Sequence, residues 1–169
     1  MYKPYKELSE VWFKDATIIT DKYHWIRQTM WAIDNVRKRI QKQFSKQYRI
    51  YFKHSKKLLL VSSSKLTDDE RIQVSVMLST SADLSTAYHL KELLYEILMT
   101  KTQQEAKMLL LEWIEEAEES GIPEFKSATT AYRNWLPQIV NSCCQPITNG
   151  FTEGCNNKIK VLKRNAYGY

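Results

Sequence analysis

Glycine and proline are scarce in this chain, with 4 of each among 169 residues. These residues punctuate turns, so their scarcity argues against a turn-rich all-β architecture and for long helices. Cysteine is scarcer still. Cys143, Cys144 and Cys155 are odd in number and form no Cys-x-x-Cys pair, which excludes a disulfide framework and gives no structural zinc motif. Free thiols in a reducing cytosol fit this pattern, so the expected location is cytoplasmic. Long apolar runs are missing too. The longest, "LLLV" and "MLLL", fall far short of the roughly 20 residues that a membrane-spanning helix needs, and "MYKPYKELSEVW" lacks the apolar centre of a signal peptide. No membrane partner is expected.

What is present suffices for one sizeable core. The chain is 43% apolar and 12% aromatic, and its length requires no second domain. A formal net charge of +6 favours a polyanionic partner, although many proteins of similar charge bind nothing specific.

Local patterns then divide the chain. Residues Lys3 to Phe13 suit a short helix, and "ATIIT" at Ala16 to Thr20 is the one convincing β run. From Trp25, the residues Ile26, Met30, Ile33, Val36, Ile40 and Phe44 recur every three or four positions, which predicts a long amphipathic helix reaching as far as Phe52. Thr67 with Glu70, and Thr102 with Glu105, have capping-box spacing, and a further helix is expected from about Leu84. Gly121 is placed to end the helix that Thr102 begins. Pro123 opens another segment, and Pro137 marks a kink or stop.

Two charge blocks stand out. Ten cations lie between Arg37 and Lys65 with no acid among them, and Tyr48, Tyr51, Phe52 and His54 are interleaved. Lysines such as Lys42, Lys46 and Lys53 can neutralise phosphates while aromatic faces stack on bases, so the segment suits DNA contact. A solvated helix face with inward aromatics explains the same pattern. The acids from Glu112 to Glu124 form an opposite block, expected to face away from DNA.

The last segment carries one acid, Glu153. At 100° per residue a helix places Asn156, Asn157, Lys160 and Arg164 within about 60° of it. Phe151, Cys155, Ile159 and Leu162 fall on the other side, forming an apolar seam expected to dock on the core. Asn149 or Thr148 suits the helix cap, which leaves Glu153 in or near the first turn, where the helix dipole favours a negative charge. Glu153 then has two readings. It is an ordinary surface glutamate paired with Lys160 or Asn157, or a carboxylate that holds a divalent ion beside a phosphodiester.

"TNGFTEGCNNKIKVLKRNAYGY", "ATIITDKYHWIRQ" and "SGIPEF" together resemble the C-terminal part of bacterial insertion-sequence DDE transposases of the ISL-three group. The resemblance runs from about Tyr2 to Tyr169. Its most specific part is Asn149-Gly150-x-x-Glu153-Gly154-x-Asn156-x-x-Ile159-Lys160, followed by Lys163-Arg164-x-Ala166-Tyr167-Gly168.

That resemblance implies a mainly α chain that includes part of a ribonuclease H-like core, one short strand plus the final helix, with a large helical insertion. Residues 1–24 correspond to the core remnant, 25–144 to the insertion and 145–169 to the Glu-bearing helix. Glu153 is then the last of three catalytic acids and a metal ligand, with Asp21, His24, Asn149, Asn156 and Asn157 supporting the site. Lys160, Lys163 and Arg164 join Lys42, Lys46 and Lys53 as DNA contacts. Asp21 and His24 resemble an Asp-x-x-His motif that follows the second catalytic aspartate in related families; a second alignment makes Asp21 that aspartate itself.

The implied cofactor of the intact parent is Mg²⁺ or Mn²⁺, since hard oxygen ligands select hard cations. With one of three acids assigned, the chain by itself is expected to bind no metal and to be inactive in cutting DNA. The implied partners are the insertion-sequence DNA ends and a second copy of the chain. The competing reading is a non-catalytic helical DNA-binding or regulatory module.

Overall fold

The computed structural model describes residues 3–54 and 56–167, the side chains of Lys53 and His54 excepted, and among them every regular element is helical. Ten α-helices follow in order: α1 (Lys3–Trp12), α2 (Lys22–Gln41), α3 (Lys46–His54), α4 (Lys56–Leu60), α5 (Asp68–Leu78), α6 (Ala82–Met99), α7 (Gln103–Glu119), α8 (Lys126–Asn134), α9 (Leu136–Cys143) and α10 (Gly150–Asn165). Short 3₁₀ turns at Ser63–Lys65 and Pro123–Phe125 precede α5 and α8.

The starts and stops have local causes. Thr67 and Glu70 form a reciprocal capping box at α5. At α7 the pattern is half realised: Thr102 Oγ1 accepts from Glu105 N at 3.2 Å, while Glu105 Oε2 accepts from Lys101 N at 3.4 Å. Gly121 follows α7 at φ +64, a left-handed backbone that a side chain would strain. Pro137 is the second residue of α9, where its missing N–H leaves no helical bond broken, so the chain restarts at Trp135 rather than kinking.

The expected long helix to Phe52 is instead two. Residues 42–45 turn, with Phe44 N donating to Gln41 O, and the Phe44 ring packs 4.9 Å from the Phe52 ring. Burial of Phe52 on the core requires α3 to leave the α2 axis.

Helix α2 is central. It packs against α6, α8 and α9, and α7 closes the core against α6, α8 and α9. Trp25, Trp113, Phe125 and Tyr132 fill the interior. Their polar edges are satisfied: Trp113 Nε1 donates to Leu90 O at 2.6 Å, Trp25 Nε1 to Ser142 Oγ at 3.2 Å, and Tyr132 Oη to Trp25 O at 2.9 Å. Truncating an aromatic in such a core costs about 3–5 kcal/mol, and Trp113→Ala is the single change expected to damage this one most.

A buried polar knot ties the segment before α5 to α6. Lys91 is fully buried, pairs with Glu92, donates to Val61 O at 2.6 Å and lies 3.7 Å above the Tyr88 ring. Glu92 accepts from Ser63 N and Ser63 Oγ, and Tyr95 Oη donates to Leu60 O. A buried ammonium needs such partners, so the knot fixes the chain from Leu60 to Ser63.

Two expectations are corrected. Residues 16–20 form no strand among the described residues; they run without regular structure, fastened by Thr20 N to Gln138 O at 3.1 Å and Asn141 Nδ2 to Ile18 O at 3.0 Å. β-Branched residues favour a strand only where a neighbour supplies ladder bonds, and here α9 supplies the partners. The apolar seam of α10 does not dock either. No described residue of α10 is buried, and Phe151, Ile159 and Leu162 are 85%, 51% and 67% exposed.

Candidate active site

Asp21 is the hinge of the site. It caps α2, with Oδ1 accepting from Tyr23 N at 2.8 Å, and its other oxygen accepts from Asn149 N at 2.8 Å. One carboxylate therefore joins the start of α2 to the start of α10. Both of its oxygens meet backbone donors, an arrangement that suits a positioning role.

Tethering at Asn149 sets the register of α10, so Glu153, in the first turn, comes beside His24, in the first turn of α2. Glu153 Oε1 lies 3.6 Å from His24 Nε2, with the two side chains 46% and 37% exposed. The pair is an ionic one only when the imidazole is protonated. Asn149 occupies the cap position, yet its side chain makes no cap hydrogen bond; its backbone N–H does the work instead.

The structure thus brings Asp21, His24, Asn149 and Glu153 together. Asn157, Lys160, Lys163 and Arg164 share a second surface, an open recess of about 460 Å³ along α10. Asn156 is exposed and lines neither. Lys42 and Lys46 are exposed, while the Lys53 side chain lies outside the described residues. Met1, Tyr2, Gly168 and Tyr169, at the ends of the resemblance, lie outside them too.

Four of the ten cations of the basic block are paired within the fold. Buried Asp34 accepts from Arg37 at 2.7 Å and pairs with Lys38 at 2.9 Å and Lys56 at 3.1 Å. Burial alone would raise the Asp34 pKa, but hydrogen bonds from Lys38, Arg37 and Lys56 outweigh it and hold the carboxyl at about 2. Arg39 is held by Glu124 and Asp83 at 2.6 and 2.8 Å. Four cations of the block therefore serve the fold, leaving Lys42 and Lys46 better suited to an external anion.

Sequence reasoning missed the cavity beside Asp21. About 250 Å³ opens between α1, residues 18–21 and Trp135, with Lys6, Ser9, Asp21 and His24 on its wall. The Lys6 ammonium lies 5.4 Å from the Trp135 ring centroid, and Thr20 Oγ1 is buried with no hydrogen-bond partner among the described residues. No spacing rule links α1 to Trp135, so only the fold reveals this wall.

Among the described residues no group of three or more His, Cys, Asp or Glu side chains could hold a metal ion. The donor chemistry agrees: beside the Asp21 and Glu153 carboxylates the remaining side chain is the His24 imidazole, a poor ligand for a hard cation. These residues do not by themselves fit the Mg²⁺ or Mn²⁺ that the resemblance implies. No described helix is long and apolar enough to cross a membrane.

The chain is similar to known transposases over most of its length. A family model described as "Transposase" matches residues 1–169. The chain is 30% identical over 157 residues to the transposase for insertion sequence element IS1001 of Bordetella parapertussis, covering 91% of this chain and 39% of that protein. A shorter stretch of 49 residues, 28% of this chain, is 47% identical to 16% of an ATP-dependent protease of Lactococcus lactis subsp. lactis. No solved structure matches. The chain thus spans about two fifths of the length of its IS1001 relative. It belongs to the transposase family of the ISL-three group.

Proposed function

We propose that this chain is the portion of an insertion-sequence transposase that carries the last catalytic carboxylate, Glu153, and that the whole enzyme cuts and joins the DNA ends of its element. The observation that carries the reading is the meeting of Glu153 with His24 at a helix start anchored by Asp21. Family membership and the name of the IS1001 relative support DNA as the substrate.

On this reading α10 is the Glu-bearing helix of a ribonuclease H-like core, residues 25–144 are the insertion, and Asp21 and His24 are positioning residues. Asp21 holds the register of α10, and His24 holds the Glu153 carboxylate through its Nε2 edge. Lys160, Lys163 and Arg164 meet backbone phosphates from the same helix, aided by Asn156 and Asn157, while Lys42 does so from the turn before α3 and Lys46 from the start of α3. Glu153 would help to hold divalent ions in the intact enzyme, which would supply Lewis-acid polarisation of the phosphodiester. Glu153 is one ligand of a set that these residues do not complete.

The exposed seam of Phe151, Ile159 and Leu162 supports self-association, since clustered apolar exposure of this kind marks interaction surfaces. DNA engagement would place the protein on the nucleoid.

A second reading has its own observation. The exposed cations Lys42, Lys46, Lys160, Lys163 and Arg164 favour a non-catalytic DNA-binding module that modulates the whole enzyme. Excision of a marked element in cells separates the two. Under the first reading Glu153→Gln in the full-length transposase reduces excision to background; under the second, the separate chain supplied beside the full-length enzyme changes excision whether or not that chain carries Glu153→Gln.

A further inference from the structure

Along α2, one residue before His24, Tyr23, Arg27 and Trp31 stand at successive i, i+4 positions and form an exposed ladder. The Arg27 guanidinium lies 5.2 Å from the Tyr23 ring centroid and 4.4 Å from that of Trp31. Tyr23 is 60% exposed and Trp31 52% exposed, so both rings have a face open to a ligand. Arg27 Nε is buried and donates to no acceptor among the described residues. No acid occurs from Lys22 to Ile33. The ladder is therefore aromatic, cationic and incompletely satisfied.

We propose that this ladder binds unpaired nucleotides of the DNA strand whose phosphodiester lies at Glu153. The inference rests on the functional reading above and extends it by naming the form of DNA taken. The Tyr23 ring lies 5.7 Å from the His24 ring, and His24 lies 3.6 Å from Glu153, so the ladder begins at the site. From there it rises about 12 Å to Trp31, enough for more than one base. Aromatic faces stack on bases whose own faces are free, which a blunt duplex does not offer. Arg27, stacked between the rings, offers its terminal N–H groups, beyond the buried Nε, to a phosphate or a base acceptor.

The test uses the full chain and two fluorescent probes: a blunt duplex, and the same duplex with a short single-stranded tail. Trp31→Ala is expected to weaken binding to the tailed probe about tenfold while leaving blunt-duplex binding unchanged. Trp31→Phe retains a ring and is expected to keep most of the affinity. The tryptophan is half exposed, so neither change opens a cavity, and a matched melting temperature verifies the fold. Equal loss on both probes, or no loss on the tailed one, overturns the proposal. Binding of neither probe by the parent chain overturns it together with the DNA reading. Excision surviving Glu153→Gln overturns only the catalytic assignment of Glu153.

Discussion

His24 Nε2 lies 3.6 Å from Glu153 Oε1, joining the first turn of α2 to the first turn of α10. The contact depends on Asp21, whose carboxylate accepts from Tyr23 N on one side and Asn149 N on the other. Asp21→Ala should lower stability by about 1 kcal/mol through the lost cap of α2, and should also free the start of α10. Amide exchange at Asn149 and in the first turn of α10 is expected to accelerate more than exchange in α6. Asp21→Asn, which can still cap a helix, should recover most of the stability.

Asp34 sets an acid limit on the fold. Its carboxyl is held at about 2, below the unfolded value of about 3.9, so its stabilisation is complete above about pH 4 and is lost as pH falls through 2. The shift corresponds to about 2 kcal/mol. Asp34→Asn should cost more, about 3–5 kcal/mol, because the Arg37 charge stays buried without its partner. Denaturant unfolding from pH 5 to pH 2 should show the native slope from this group disappear in the variant.

Lys91 should be intolerant of a neutral replacement. Lys91→Met leaves the half-buried Glu92 without its ammonium and Val61 O without its donor, and a loss of about 3–5 kcal/mol is expected. Proteolysis should then begin between Leu60 and Lys65, the stretch that the knot fastens.

The basic block should divide by partner rather than by charge. Neutralising Lys42 and Lys46 together is expected to reduce the slope of log affinity against log salt by about 1.8 if each meets one duplex phosphate. Neutralising Lys38 is expected to leave that slope unchanged and to lower stability, since Lys38 pairs with Asp34. The contrast is read from DNA titrations at several salt concentrations and from unfolding curves.

Local chemistry made part of this fold legible. Thr67 with Glu70 and Gly121 act through bonds or dihedrals within a few residues, so their patterns survive folding intact. The helix that carries Glu153 in its first turn was also readable, because it needs only local pattern. What stayed hidden depends on distant partners. Residues 16–20 look like a strand, but Gln138 and Asn141 supply their hydrogen bonds. Arg37, Lys38 and Lys56 look like one cationic surface, but a single carboxylate at Asp34 gathers all three. The seam of α10 has the right period for docking, yet a period specifies a face and not what covers it.

The central claim is that the Glu153 carboxylate works on DNA rather than merely supporting a helix start. Its most direct test compares DNA binding and strand cleavage by the full-length transposase carrying Glu153→Gln, with labelled element ends as substrate. The expected result is unchanged end binding with cleavage reduced to background. Cleavage at the parent rate, with binding intact, would contradict the assignment.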